Sequence, residues 1–132
     1  MKVLVDEHLP PALAHSLHAL FDGEHQIEHV RDKFGTGVTD IKWIETLNAD
    51  GRWVVISADR RITRNRAEYT AFRQSKLIGF FMSKSVYKSP LVKQTARILL
   101  LWDGICEIAE RVEGGAMFEL PIKSNRIPQL RF

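Results

Sequence analysis

The chain has 132 residues, of which 45% are hydrophobic and 27% charged, with 8 glycines and 5 prolines and a net charge of +3. That is enough for one compact domain with its own core and too little for two ordinary ones, so a single domain over 1–132 is expected, and collagen-like, low-complexity and disordered classes are excluded. The one cysteine, Cys106, rules out an internal disulfide and makes the cytoplasm the default compartment.

The opening Met1-Lys2-Val3-Leu4-Val5 meets Asp6-Glu7 at once, which does not suit a secretory leader. The longest apolar run, Ile98 to Trp102, falls far short of the roughly 20 residues that cross a bilayer, so no membrane association is expected.

In chain order, Lys2 to Val5 reads as a buried first strand ended by Asp6. Pro10-Pro11 opens a helix, because proline is tolerated where the N–H would be unpaired anyway, and Leu13, Leu17, Leu20 and Phe21 recur at helical spacing up to Gly23. A short strand over Gln26 to Val30 and a Gly35-Thr36-Gly37 loop lead to a helix from Asp40 to about Asn48, with Ile41, Ile44 and Leu47 as its apolar stripe.

Trp53 to Ile56 is the most strand-like run and stops at Ser57-Ala58-Asp59. A helix is expected from Asn65 to about Ser75, a fourth strand over Leu77 to Met82, and one long helix from Pro90 through Glu110 with Leu91, Ala96, Leu99, Leu100 and Ile105 apolar. Met117 to Ile122 completes the series as a last strand. Strands alternating with helices predict an α/β fold, a three-layer α/β/α arrangement with a mostly parallel sheet of four or five strands.

Charge is segregated along the chain. Residues 1–59 carry 5 basic and 10 acidic side chains, residues 60–97 carry 10 basic ones against Glu68 alone, and the remainder carries 4 and 5. A basic middle third suits a polyanion, because each Lys or Arg facing a phosphate displaces a condensed counterion; solvated helix faces explain the same count.

In a parallel sheet, ligands bind beyond the carboxyl ends of the strands where strand order reverses. Asp6 follows the first strand, Asp59 follows the third, and Asp40 opens the helix feeding that third strand. If the first and third strands are neighbours, two or three carboxylates converge. Like charges so close need a cation or protons, and hard divalent ions such as Mg²⁺ favour such oxygen sets, which points to metal-assisted hydrolysis.

Plainer roles exist for these acids, and Asp6, at the end of a buried strand, is the hardest to explain that way. Asp40 or Thr39 caps a helix, Asn65 with Glu68 fits a capping box, Asp59 suits an Asx turn, and Glu7 points away from the site. The five histidines, all within the first 29 residues, lack a zinc spacing and read as surface or half-buried groups. Cys106 reads as packed, and Trp43, Trp53 and Trp102 as core.

The segments Val5-Asp6-Glu7-His8-Leu9-Pro10, Asp40 at a helix start and Ser57-Ala58-Asp59-Arg60-Arg61-Ile62 resemble the PIN-like domains, most closely their small VapC-type toxin-like branch. The likeness runs through Asn65, Glu68 and Phe80-Phe81, roughly the first 85 residues. It implies a Mg²⁺- or Mn²⁺-dependent RNA endonuclease, often the toxin of a toxin–antitoxin pair. Asp6, Asp40 and Asp59 match the acidic metal-binding set, and Glu68 is the candidate for the fourth acid.

On this reading Arg60, Arg61, Arg64 and Arg66 hold the RNA backbone, and the partners expected are RNA, a cognate antitoxin protein and a second copy of the chain. Two alternatives stand beside it. One is an inactive PIN-like RNA-binding module; the other is a phospho-acceptor signalling domain with Asp59 as acceptor and Ser83 or Lys84 in support.

Overall fold

The computed structural model describes residues 1–131. Its centre is a five-stranded sheet of β1 (Lys2–Val5), β2 (Gln26–His29), β3 (Trp53–Ser57), β4 (Ile78–Met82) and β5 (Met117–Leu120), ordered β2-β1-β3-β4-β5. Every pairing in it is parallel. The expected α/β fold is therefore present, and strand order reverses between β1 and β3, whose register pairs Val5 with Ile56.

Alternation along the strands feeds two cores. Val3, Val5, Val54, Ile56, Phe80 and Met82 face one way, against α1 (Pro11–Leu20), α6 (Leu91–Leu100) and α7 (Trp102–Arg111). Leu4, Trp53, Val55 and Phe81 face the other way, against α3 (Asp40–Asp50) and α4 (Arg66–Arg73). Strands buried on both faces read as near-continuous apolar runs, which is why β1, β3 and β4 are short and mostly Val, Ile, Leu and aromatic residues. Pro11 starts α1 as expected, and the three tryptophans are core, 1–5% exposed.

Several expectations are corrected. The second strand stops at His29, and Val30 instead opens a short α2 (Val30–Phe34). His29 is fully buried; its Nδ1 accepts the Arg31 N–H that starts this turn, and its Nε2 donates to the Leu9 carbonyl at 2.7 Å. In α3 the buried stripe is Trp43, Ile44 and Leu47, with Ile41 only half-buried. Leu20 is exposed at the end of α1.

The long helix is two, broken at Leu101 (φ −92°, ψ 3°), where Trp102 turns in to stack on Phe21 at 4.4 Å. Gln94, Ile98, Leu101, Trp102, Ile105 and Ala109 form its buried line, while Leu91, Ala96 and Leu100 face solvent. An unforeseen short α5 (Lys84–Tyr87) follows β4, capped by Ser83, whose Oγ accepts the Val86 N–H.

Beyond β5 the chain doubles back along that edge strand. Glu119 N–H donates to the Pro128 carbonyl and Leu130 N–H to the Met117 carbonyl. The edge is thereby covered, which removes a template for unwanted strand pairing. Among the described residues no helix is long and apolar enough to cross a membrane.

Candidate active site

The carboxyl ends of β1 and β3 bring Asp6 and Ser57 together. The Asp6 N–H extends the ladder to the Ile56 carbonyl at 3.0 Å, and the Ser57 hydroxyl donates to Asp6 Oδ2 at 2.8 Å. Asp6 is only 8% exposed. Burial pushes its carboxyl above the usual range, the Asp40 charge adds to this, and hydrogen bonds from Ser57 and the Glu7 backbone oppose it.

Asp40 enters from the first turn of α3. Thr39 is the cap, accepting the Lys42 N–H, so Asp40 is free of that role and accepts the Trp43 indole N–H at 2.8 Å. Trp43 is thus both a core residue and the group that fixes this carboxylate. Asp6, Asp40 and Asp59 line one small cleft, floored by Val55, Phe72 and Phe81 and walled by Trp43, Ser57 and Ile62.

Glu68, in the first turn of α4, has its N–H capped by Asn65 Oδ1, but its carboxyl turns to Asp40 instead of closing the expected box. Burial raises its pKa first; the charge of Asp40 and a hydrogen bond shared with it raise it further, and Arg61 pulls the other way. Two carboxyls in hydrogen-bonding contact share a proton more readily than they hold two charges.

Asp59 is held differently. Oδ1 accepts the Arg61 N–H at 2.9 Å, an Asx turn, while Oδ2 bonds the Arg61 guanidinium and lies 2.9 Å from His8 Nε2. Burial raises its pKa, but the Arg61 hydrogen bonds and the His8 and Arg61 charges outweigh this, and the net direction is down. Arg61 Nη2 also reaches His8 Nε2 at 2.7 Å, and its guanidinium feels Asp40 and Asp6 as well as Asp59. Arg61 is the internal counter-ion of the cleft.

His8, expected as a surface or half-buried group, belongs to the site. The turn in which the Leu9 N–H donates to the Asp6 carbonyl carries it over the strand ends, and its place two residues after Asp6 was the available signal. Glu7 faces away and pairs with Arg31 at 3.4 Å. Of the four arginines, Arg60 pairs with Glu119 at 3.4 Å and Arg61 with Asp59, whereas Arg64 and Arg66 are exposed. His15 binds Asp32 and His18 accepts the Ile27 N–H, so these two do not form a joint site. Cys106 is half-buried against the core, and burial pushes its thiol up.

With this geometry in view, a family model described as "PIN like domain" matches residues 1–84. The chain belongs to the PIN-like domain family. The match covers β1 through β4 and so contains every acid of the cleft. Comparison with curated proteins and with solved structures gives no match. PIN-like domains belong to a nuclease and RNA-related superfamily, and nucleases are their typical activity.

The donor set of this PIN-like domain consists of hard carboxylate oxygens, one of them deeply buried, which suits Mg²⁺ or Mn²⁺ in chemistry. Among the described residues no group of three or more His, Cys, Asp or Glu is arranged so that together they could hold a metal ion. Mg²⁺ retains several waters and needs only one or two protein carboxylates, so Asp6 and Asp40 could hold such an ion, whereas Asp59 is engaged by Arg61.

Proposed function

We propose that this PIN-like domain is a metal-dependent endoribonuclease that uses Mg²⁺ or Mn²⁺ at Asp6, Asp40 and Asp59. The observation that supports this most is the gathering of these acids, with Glu68 beside Asp40, from four distant segments around one cleft at the switch point of the sheet. A divalent ion there lowers the pKa of a bound water and neutralises charge on a phosphodiester in transit.

The chain's own residues do the rest. Asp6, fixed by Ser57, and Asp40, fixed by Trp43, present oxygens at defined positions. Glu68, whose pKa is raised by burial and by the neighbouring Asp40, is the carboxyl beside the cleft placed to exchange a proton with a departing oxygen. Arg61, released from Asp59, moves its positive charge to the substrate phosphate.

By its resemblance to the VapC-type branch, the protein acts as the toxin of a toxin–antitoxin pair, with a cognate antitoxin as partner. Cleavage of single-stranded RNA in Mn²⁺, abolished by EDTA and by Asp6→Asn, is the expected result. Cleavage that survives both overturns the reading, and salt-dependent RNA binding without any cleavage replaces it with an inactive binding module.

A further inference from the structure

A second concavity lies at the same end of the sheet, across β3 from the acids. It is a groove of about 780 Å³ lined by Ala58, Arg60, Arg64, Met82, Lys84, Tyr87 and Glu119. Ser57 and Ala58 point to opposite faces, so the acid cleft sits on the α3/α4 side and this groove on the α5 side, with the Arg60–Arg64 turn between them.

Its parts are complementary to a nucleotide. Arg60 is tied to Glu119, which uses up the one acid in the groove. Arg64 and Lys84 are exposed, and among the described residues neither side chain has a hydrogen-bond or ion-pair partner. Tyr87 lines the groove and is 44% exposed as a residue, while its neighbour Val86 is buried and anchors α5. An exposed ring beside two uncompensated cations offers a stacking face for a base and charges for the adjoining phosphates.

We infer that this groove is a subsite for single-stranded RNA, with one base stacked on Tyr87 and the flanking phosphates held by Arg64 and Lys84. The inference rests on the ribonuclease reading and assigns the strand's path, across the end of β3, and the residues that hold it there. A paired base keeps its faces within the helical stack and cannot lie on the Tyr87 ring.

The test is fluorescence anisotropy of the full chain with a labelled single-stranded oligoribonucleotide in EDTA, and with the same sequence in a duplex. Tyr87→Ala is expected to weaken single-strand binding by about fivefold or more, Tyr87→Phe to restore it, and neither to change the salt slope. Lys84→Gln should reduce the slope of log affinity against log salt by about 0.7, one phosphate contact.

Unchanged affinity in Tyr87→Ala with an unaltered melting temperature overturns the subsite, as does equal loss on the duplex. Absence of cleavage in Mn²⁺ with the Tyr87 effect intact removes the nuclease reading and leaves the subsite standing. Cleavage that persists with no Tyr87 or Lys84 effect does the reverse.

Discussion

Asp6 carries a cost that only function explains. Its folded pKa lies above the unfolded value because of burial, so the native state holds its proton more tightly and stability falls as pH rises through and above that unfolded value. Asp59 behaves oppositely: with its pKa lowered, its contribution is present above the unfolded value and fades as pH drops. Asp6→Asn, which keeps an acceptor for Ser57, is therefore expected to raise the melting temperature at neutral pH by a few degrees, roughly 1 kcal/mol, and by less near pH 4. Differential scanning fluorimetry across pH measures this, and a lowered melting temperature at pH 7 would count against a destabilising buried carboxylate.

If Asp59 holds a divalent ion as proposed, Arg61 competes with it for that carboxylate. Its side chain is 70% exposed, so release costs little packing. Arg61→Ala should tighten Mn²⁺ binding severalfold while weakening RNA binding, read by calorimetry and by anisotropy respectively. Looser Mn²⁺ binding in this variant would show that the arginine organises the acids instead of occupying their ion's place.

At the scale of elements, the site is kept open by β4. A Cβ at Gly79 would lie 2.7 Å from the Phe81 ring and 3.1 Å from Phe72, the two rings that floor the acid cleft. Gly79→Ala is expected to destabilise by about 1–3 kcal/mol in urea unfolding, as overpacked cores do, and to impair the cleft's chemistry. An unchanged midpoint would mean that the floor rearranges freely.

Much of this architecture was readable in the chain. Runs such as Trp53-Val54-Val55-Ile56 can be little else than buried strands, and acids directly after such runs fall at the sheet's carboxyl edge by geometry alone. The short helices escaped because they begin with tertiary partners. The α2 turn depends on the buried His29 ring, and α5 on a Ser83 cap with one buried valine. The break at Leu101 was equally hidden, since Trp102 stacks on Phe21, 81 positions earlier in the chain. For Glu68 the sequence offers a local cap with Asn65 and, through the resemblance alone, a fourth acid; its partner Asp40 across the cleft is visible only in the structure.

At the scale of the whole molecule, the basic middle third is only partly available to a partner. Arg73 bonds the Gly115 carbonyl and Arg97 the Pro121 and Ser124 carbonyls, so these two fasten the chain around β5. Arg64, Arg66, Lys84, Lys88 and Lys93 are exposed. A polyanion that engages four of these five should show a log–log salt slope near −3 for a single strand. A slope near zero would place the RNA elsewhere or exclude it.

The most direct measurement is a calorimetric titration of Mn²⁺ into the full chain and into Asp6→Asn at neutral pH. Saturable binding by the natural sequence, weakened at least tenfold by the substitution, is the predicted result. Equal binding by the two proteins, or no binding by either, would contradict a metal centre at the junction of β1 and β3.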